Sequence, residues 1–178
     1  MNKIIDQTFK VAIYLRLSKE DDDLSCSSGA KSESNSISNQ RKLIYDFMKS
    51  HPELELYDEY KDDGKSGSNF DRAEFQRMMK DIKAGKVNCV IVKDQSRFGR
   101  DYIDVGKYKE KIFPKLSVRF ITINEGYDSL SATSSDDLAF TINSFVYDFY
   151  IRDISTKIRT NLTAKKQNGE YAGAFVAY

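Results

Sequence analysis

The stretch that decides the fold is Val11-Ala12-Ile13-Tyr14-Leu15-Arg16-Leu17-Ser18, an apolar run that ends with an arginine and a serine. Such a run predicts a buried strand, and in open α/β sheets ligands bind just beyond the carboxyl ends of the strands. Ser18 is therefore the first candidate for a functional residue. Taken alone, the stretch is also consistent with a solvent-facing Arg16 and a serine that merely turns the chain, because serine is common in turns.

The composition is that of a soluble globular domain, since 40% of the 178 residues are hydrophobic and 31% are charged. No apolar run is long enough to cross a bilayer and no secretory signal is present, so we expect a cytoplasmic protein with no membrane partner. Two cysteines and one histidine argue against a disulfide and against a Cys/His metal site. The net charge of +1 gives only weak support for nucleic-acid binding. If DNA is the partner, most of the affinity must lie outside this chain.

Strand and helix signals alternate along the chain, which predicts an α/β fold with a mainly parallel sheet flanked by helices. Further strands are predicted over residues 54–61, 87–92 and 118–123, with Leu54, Leu56 and Tyr60 on one face of a half-exposed strand. Residues 19–35 and 124–133 are expected to be mobile polar loops. Helices are predicted from Ser36 or Ser38 to about Ser50, from the capping box Asp71-x-x-Glu74 to Gly85, and from Asp101 to Phe113, where Pro114 stops the helix.

The last predicted element is a helix of about 30 residues and about 45 Å, which starts at the capping box Ser134-x-x-Asp137. A helix of this length exceeds what the domain can cover, so its second half must project or meet a partner. Aromatic residues in the first half predict core or subunit interface: Phe140, Phe145, Tyr147, Phe149 and Tyr150. Basic residues in the second half could lie on a phosphate backbone or form a solvated face: Arg152, Lys157, Arg159, Lys165 and Lys166.

Two of the predicted strands would bring Ser18 and the arginines Arg16, Arg97 and Arg100 to one edge of the sheet. Guanidinium groups match phosphate oxygens in pairs and stay charged, so arginines around a hydroxyl suit an oxyanion of phosphorus. The single histidine, His51, lies at a helix end away from both strand ends, which argues against a Ser-His-Asp triad.

The sequence also lacks a phosphate-binding GK[ST] loop and a clear carboxylate set for Mg²⁺. The predicted chemistry is phosphoryl transfer through phosphoserine, without metal or other cofactor. Guanidinium groups would stabilise the developing charge, and an arginine or a carboxylate such as Asp63 or Asp94 would assist proton movement.

Four blocks of sequence, taken together and in order, resemble the resolvase/invertase catalytic domain of serine recombinases. The resemblance covers nearly the whole chain, and the long first loop is most similar to the large serine recombinases of conjugative transposons and phages. The blocks are Tyr14-Leu15-Arg16-Leu17-Ser18, Ser38-Asn39-Gln40-Arg41, Asp62-Asp63-Gly64-Lys65-Ser66-Gly67-Ser68-Asn69-Phe70-Asp71-Arg72 and Lys93-Asp94-Gln95-Ser96-Arg97-Phe98-Gly99-Arg100-Asp101.

The resemblance implies that Ser18 attacks a DNA phosphodiester, leaving a 5′-phosphoserine and a free 3′-hydroxyl. It implies that four arginines hold the scissile phosphate, namely Arg16, Arg72, Arg97 and Arg100, and that Gln40, Asp63 and Ser66 support the site. It further implies that subunits pair through the long helix as dimers, and as tetramers when active, to recombine double-stranded attachment sites without ATP or metal. The cell would be a bacterium or another host of a mobile element.

One departure from the family pattern concerns Ser96, because small resolvases carry an aspartate at that position. Any acid/base role of that aspartate is therefore in doubt here, and Asp94 is not an obvious substitute. The expected organisation is a catalytic core over residues 1–133, the long helix over 134–168, and over 169–178 the start of a linker to C-terminal DNA-binding regions that this chain lacks. The alternatives are a non-catalytic DNA-associated assembly module of the same fold, and a phosphoserine-type phosphatase or nucleotide-binding domain.

Overall fold

The structure is a computed structural model that describes residues 8–17, 35–62, 72–99 and 101–169, with the backbone alone at residues 35, 151 and 152. Five strands form one sheet in the order β2-β1-β3-β4-β5, parallel except for the antiparallel pair β4 and β5. The strands are β1 (Phe9–Arg16), β2 (Leu54–Asp62), β3 (Cys89–Val92), β4 (Arg119–Thr122) and β5 (Tyr127–Asp128).

Helices flank this sheet, which confirms the predicted α/β fold. They are α1 (Asn35–Lys49), α2 (Ala73–Lys83), α3 (Gln95–Phe98), α4 (Tyr102–Lys107), α5 (Phe113–Lys115) and the long α6 (Ser134–Gln167), with a π-helical turn (Tyr108–Ile112) between α4 and α5. None of the helices in the described ranges is both long and apolar enough to span a membrane.

Strand β1 is buried along its length except at Lys10, because both faces of the sheet are covered. On one face, Val11 and Ile13 pack with Ile44 of α1. On the other face, Ala12 and Tyr14 belong to a second apolar cluster that is formed with α2, α4, α5 and the start of α6. The apolar run quoted first is thus the shared centre of two cores.

Strand β2 departs from the predicted alternation because it carries an irregularity opposite β1. Val11 pairs with Leu56 and Ala12 pairs with Asp58, so Tyr57 is an extra residue in the strand. An extra residue reverses which face the following side chains point to. Leu54 therefore packs on the α1 face and Tyr60 on the α2 face, while Leu56 is 36% exposed. The prediction that these three residues share one face is wrong.

Helix α2 buries the face predicted for it, formed by Phe75, Met78, Met79 and Ile82. Gly85 follows the helix with φ 71°, the left-handed conformation expected of a glycine at that position. Its start differs from the predicted capping box, because the amides of Glu74 and Phe75 donate to the carboxylate of Asp62 at the end of β2. Asp71 lies outside the described residues.

The helix predicted over residues 101–113 begins at Asp101, whose side chain accepts hydrogen bonds from two amides of the first turn. The prediction that Pro114 stops this helix is wrong, because helical structure continues through the proline. The π-helical turn shifts the hydrogen-bonding pattern, and Pro114 falls in the first turn of α5, where a missing N–H is tolerated. The segment predicted as a polar loop over 124–133 contains β5, so that prediction is also incomplete.

The long helix α6 has 34 residues, or about 51 Å at 1.5 Å per residue. Its capping box consists of Thr133 and Asp136, one residue before the predicted pair. Asp137, the predicted capping residue, instead pairs with Lys109 and accepts a hydrogen bond from Tyr127. Beyond Ser144, no described side chain of α6 is buried, so most of the helix stands away from the core.

Candidate functional site

Arg16 ends β1 with its side chain inside the protein, at 1% exposure. Its Nε donates to the carbonyl oxygen of Arg97 at 3.1 Å, and its Nη2 donates to the carbonyl oxygen of Ser96 at 2.5 Å. The alternative of a solvent-facing Arg16 is therefore wrong. The guanidinium instead bridges the carboxyl ends of β1 and β3, as parallel strands that share one edge allow.

Arg97 lies in the short helix α3 that follows β3, and its Nη1 donates to the carbonyl oxygen of Arg16 at 3.3 Å. Asp94 fixes this turn, because its carboxylate accepts from the Arg97 amide at 3.1 Å and from the Ser96 hydroxyl at 2.6 Å. The other carboxylate oxygen lies 3.9 Å from Arg97 Nε. Asp94 thus places a carboxylate beside Arg97; the expectation that it is not an obvious substitute for an aspartate at position 96 stays a prediction.

Gln40 of α1 is fully buried and holds the backbone of Arg16 from the α1 face of the sheet. Its amide oxygen accepts from Arg16 N at 3.4 Å, and its Nε2 donates to Arg16 O at 3.2 Å. The Gln40 side chain thus satisfies the buried backbone N–H and C=O of Arg16, as a neighbouring strand would in the middle of the sheet. The structure brings Gln40 to Arg16, while its supporting role in the site stays a prediction.

Arg72, just before α2, is also 1% exposed. Its Nη1 donates to the Tyr14 hydroxyl at 2.6 Å and its Nη2 donates to the carbonyl oxygen of Phe98 at 2.9 Å. The guanidinium lies over the rings of Tyr14 and Phe75, 5.5 and 5.4 Å from their centroids. Arg16, Arg72 and Arg97 therefore all contact α3 or form part of it.

Four predicted site residues lie outside the described part of the chain: Ser18, Asp63, Ser66 and Arg100. Chain connectivity alone relates them to the site, since Ser18 follows Leu17, Asp63 follows Asp62, and Arg100 follows Gly99. From the mobile loop expected directly after Ser18, we predict that its hydroxyl is not within hydrogen-bonding distance of all four arginines until DNA and partner subunits bind.

Three residues of the neighbourhood escaped sequence reasoning. Tyr14 and Asp62 join Arg72 to the sheet, through the 2.9 Å bond from the tyrosine hydroxyl to the carboxylate. Glu125, after β4, accepts from the Gln95 amide at 3.1 Å and so holds the first turn of α3. Burial raises the pKa of its carboxyl. Tyr14 could have been found from the sequence, because residues two apart in a strand point to the same face and Tyr14 precedes Arg16 by two. No sequence pattern points to Glu125, because its contact with Gln95 depends on the turn after β4.

The basic residues predicted on α6 do not reach this site. Arg159, Lys165 and Lys166 are exposed, and Lys157 pairs with Asp153 one turn earlier at 2.7 Å. The side chain of Arg152 is not among those described. Within the described ranges, no group of three or more His, Cys, Asp or Glu side chains is arranged to hold a metal ion.

The chain is thus an α/β domain with an arginine cluster at the carboxyl edge of a mainly parallel sheet, followed by one long projecting helix. The family model described as "Resolvase, N terminal domain" matches residues 11–171, and the chain belongs to this family. Comparison with curated protein sequences gave no match.

Solved structures agree with this assignment. The chain is 26% identical to the N-terminal catalytic domain of TP901-1 integrase, with a TM-score of 0.60, covering 80% of this chain and 97% of the other. It is 27% identical to a resolvase family site-specific recombinase from Streptococcus pneumoniae, with a TM-score of 0.55 and coverage of 90% and 99%. The C-terminal catalytic domain of ISC1926 TnpA, an IS607-like serine recombinase, shares the fold at 14% identity, with a TM-score of 0.51 and coverage of 86% and 83%.

Proposed function

We propose that this chain is the catalytic domain of a serine site-specific recombinase that integrates or excises a mobile element. Membership of the resolvase family and likeness to recombinase and integrase domains support site-specific recombination in general. The finer proposal is that Ser18 is the nucleophile, that Arg16, Arg72, Arg97 and Arg100 handle the scissile phosphate, and that neither metal nor ATP takes part. Asp63, Ser66 and Ser96 are assigned supporting roles.

The observation that carries this proposal is the reciprocal contact between Arg16 and Arg97. Each guanidinium donates to the backbone carbonyl of the other residue. These acceptors are neutral, and hydrogen bonds from arginine to an anionic oxygen are roughly twice as strong. A phosphate that enters this edge can therefore replace a carbonyl acceptor. Ser18 follows Arg16 by two residues in the chain, and in this proposal its hydroxyl attacks that phosphate.

In the proposed step, Ser18 Oγ attacks phosphorus, so that an Oγ–P bond forms and the bond from phosphorus to the 3′ oxygen breaks. The leaving 3′ oxygen ends as a hydroxyl, and the serine loses its proton, so one proton is transferred overall. The guanidinium groups stabilise the charge of the pentacoordinate phosphorus. The phosphoserine link retains the energy of the diester, because one ester bond replaces another. Rejoining is the same step in reverse with a different 3′-hydroxyl.

His51 supports a mechanism without a histidine base. It lies between α1 and β2, at the amino edge of the sheet, where its ring stacks on Phe47 with centroids 4.1 Å apart. Its Nδ1 lies 2.8 Å from the carbonyl oxygen of Phe47. The arginines are at the opposite edge. A carboxylate such as Asp94 is the better placed proton acceptor in the described part of the chain.

The exposed part of α6 supports assembly into a homodimer, and into a homotetramer on DNA. Large apolar side chains line it and stay more than half exposed in the monomer, among them Ile142 at 52%, Phe145 at 54% and Phe149 at 64% exposure, although the Phe145 ring contacts that of Tyr102. Contiguous apolar surface of this kind marks a protein interface. Within this proposal residues 1–133 are the catalytic core, 134–168 the assembly and DNA-contacting helix, and 169–178 the start of a linker. Lys165 and Lys166 would contact the phosphate backbone of the DNA in the cytoplasm.

The decisive experiment captures a covalent adduct without knowledge of the target site. The protein is incubated with fragmented genomic DNA of the source organism and quenched in detergent, and DNA that stays attached to the protein is sequenced. We expect an adduct with the wild type and none with Ser18→Ala, and we expect peptide mass spectrometry to find phosphoserine at position 18. Ser50→Ala is the matched control, because Ser50 is an exposed serine at the opposite edge that donates only locally, to Phe47 O at 2.8 Å.

Other outcomes identify the alternatives. An adduct that survives Ser18→Ala refutes the assignment of the nucleophile. Absence of any adduct, combined with turnover of p-nitrophenyl phosphate by the wild type, supports a phosphatase. Absence of both activities, with DNA still bound, supports a non-catalytic assembly module.

A further inference from the structure

The short helix α3 carries the backbone acceptors of two buried arginines of the site. The carbonyl oxygens of Ser96 and Arg97 accept from Arg16 at 2.5 and 3.1 Å. The carbonyl oxygen of Phe98 accepts from Arg72 at 2.9 Å. The position of α3 relative to the sheet therefore decides where both guanidinium groups lie. A helix of four residues is a single turn, which is not stable by itself, so other contacts hold it in place.

Asp94 shapes this turn from within. Its carboxylate accepts from the Arg97 amide at 3.1 Å and from the Ser96 hydroxyl at 2.6 Å. The three residues lie within positions 94–97 of the chain, so these bonds are internal to the turn. They set its conformation, whereas a link from the turn to the next strand, β4, comes from another residue.

Glu125, in the turn after β4, supplies that link. Its Oε1 accepts from the amide of Gln95, the first residue of α3, at 3.1 Å. Just before this contact, Asn124 N donates to Lys93 O at 2.9 Å, which continues the parallel pairing of β3 with β4 beyond the ends of both strands. A side-chain oxygen thus takes over as acceptor where the backbone pairing ends.

The backbone around Glu125 restricts where its carboxyl can lie. Gly126, the next residue, has φ 61°, a left-handed conformation that glycine adopts without strain. The Gly126 amide donates to Ile123 O at 3.1 Å and closes a tight turn over these four residues. The turn begins directly after the last residue of β4, so the sheet itself fixes the base of the Glu125 side chain.

The bond from the Gln95 amide does not require a charge on Glu125. Burial raises the pKa of the Glu125 carboxyl, and the negative charge of Asp94 adds to the increase. An un-ionised carboxyl still has an oxygen that accepts from an amide, and so does the side chain of glutamine. Glu125→Gln therefore keeps the bond, whereas Glu125→Met keeps the approximate length of the side chain and removes the acceptor.

We propose that Glu125 is a positioning residue of the recombinase site, whose carboxyl fixes α3 against β4 and so sets the carbonyls that orient Arg16 and Arg72. This inference rests on the proposed function, since it concerns arginines that the proposed function assigns to the scissile phosphate. In this role Glu125 contacts neither the phosphate nor the nucleophile. It acts through the Gln95 amide and the backbone of α3.

The chain offers a matched control at the opposite edge of the sheet. Asn88, just before β3, accepts through its Oδ1 from the amide of Lys10 in β1 at 2.7 Å. This bond also joins a side-chain oxygen to the backbone of a segment that is distant in the chain. Because it lies at the amino edge and α3 lies at the carboxyl edge, Asn88→Leu removes a comparable bond without moving the arginines.

The test compares these variants in the full chain, with a DNA fragment captured by the wild type as substrate. We expect adduct formation per folded molecule to slow about 10-fold or more in Glu125→Met, the equivalent of one lost buried hydrogen bond. Glu125→Asp keeps the carboxyl but shortens its reach by one bond, so it should slow the reaction as well. Glu125→Gln and Asn88→Leu should react at the wild-type rate, although Asn88→Leu loses stability.

A second measurement needs no DNA. Hydrogen exchange of the Gln95 amide, followed in spectra of isotopically labelled protein, reports directly on its acceptor. We expect this exchange to be about 10-fold or more faster in Glu125→Met than in the wild type. It should stay at the wild-type rate in Glu125→Gln and in Asn88→Leu.

The outcomes separate this inference from the proposed function. Wild-type adduct rates in both Glu125→Met and Glu125→Asp would overturn the positioning role while the proposed function stands. Equal slowing in Glu125→Met and Asn88→Leu, or in Glu125→Met and Glu125→Gln, would overturn it too. Failure of the wild type to form any adduct refutes the proposed function, and unchanged Gln95 exchange in Glu125→Met then refutes the geometric premise separately.

Discussion

Arg16 and Arg97 each donate a guanidinium hydrogen bond to the backbone carbonyl of the other, at 3.1 and 3.3 Å. The two residues are far apart in the chain but lie at the ends of β1 and β3, which are paired in parallel. The contact makes the position of each arginine depend on the other. It also holds both guanidinium groups at the carboxyl edge of the sheet, where the proposed function places the scissile phosphate.

Replacing Arg16 by lysine should therefore disable the site even though the charge is kept. A lysine ammonium lacks the planar fork needed to reach the carbonyls of Ser96 and Arg97 together. We expect adduct formation to fall about 100-fold or more, in line with loss of two charge-assisted bonds. The rate of adduct formation per folded molecule is the quantity to measure.

Arg119→Lys is the control for this substitution. Arg119 begins β4 at the amino edge, has a side chain that is 8% exposed, and binds both carboxylate oxygens of Asp128 at 3.0 and 2.7 Å. This variant should lose stability but keep its rate. An Arg16→Lys protein as fast as the wild type would contradict the role given to the reciprocal contact.

Gln40→Met should lower the free energy of unfolding by about 1–3 kcal/mol. Methionine fills a similar volume but leaves the buried amide of Arg16 without the acceptor that Gln40 supplies. Denaturant unfolding measures the change. Gln167→Met, an exposed change in the last turn of α6, should alter stability by less than about 0.5 kcal/mol. Equal stabilities of the two variants would show that Gln40 does not hold Arg16.

Phe149→Glu should weaken self-association of the protein. Phe149 is 64% exposed on α6. In a symmetric dimer that buries it, the substitution removes two phenylalanine side chains from the interface, one from each copy. The loss of roughly 3–6 kcal/mol corresponds to more than about 100-fold in the association constant. Sedimentation over a range of concentrations measures it. Leu130→Glu is the control, because Leu130 is 56% exposed but lies before the helix, and this variant should associate like the wild type. A wild type that is monomeric at every concentration contradicts the assembly proposed for α6.

Glu125→Gln should change how stability depends on pH. The pKa of Glu125 is raised above its ordinary value of 4.5, mainly by burial and also by the negative charge of Asp94. Hydrogen bonds from the Gln95 amide and from Thr122 lower this pKa but do not cancel the increase. Between the unfolded pKa and the raised folded pKa the native state binds more protons, so this group makes the wild type less stable as pH rises. Glutamine keeps an acceptor for the Gln95 amide and does not titrate.

The free energy of unfolding of the Glu125→Gln variant, relative to that of the wild type, should therefore rise as the pH increases from the ordinary pKa of 4.5 through the raised pKa of the folded state. Denaturant unfolding at several pH values measures this difference. Glu55→Gln, an exposed change on β2, should give a flat difference. A flat or falling difference for Glu125→Gln would contradict the burial of its charge. Tyr147 of α6 interacts with the charges of Glu125 and Asp94. A parallel series with Tyr147→Phe therefore separates the contribution of the Tyr147 hydroxyl from that of the Glu125 carboxyl.

Much of the fold could be predicted because it depends on patterns that are local in the chain. The apolar runs at β1 and β3, the one-sided stripe of α2 and the glycine at position 85 all match what the structure shows. The errors are equally local: an extra residue at Tyr57 reversed the faces of β2, and the cap of α6 fell one residue early. Periodicity cannot detect an inserted residue, because the pattern on each side of it remains regular.

The amino-acid sequence by itself determined the order of the four parallel strands, the presence of one long last helix, and arginines at or just after the ends of two buried strands. Only the tertiary structure decided where those arginines point. The contacts of Arg16 with α3, of Arg72 with Tyr14, and of Asp62 with α2 join segments distant in the chain. Such contacts follow from the packing of parallel strands side by side, and no spacing in the sequence encodes which donor will meet which carbonyl.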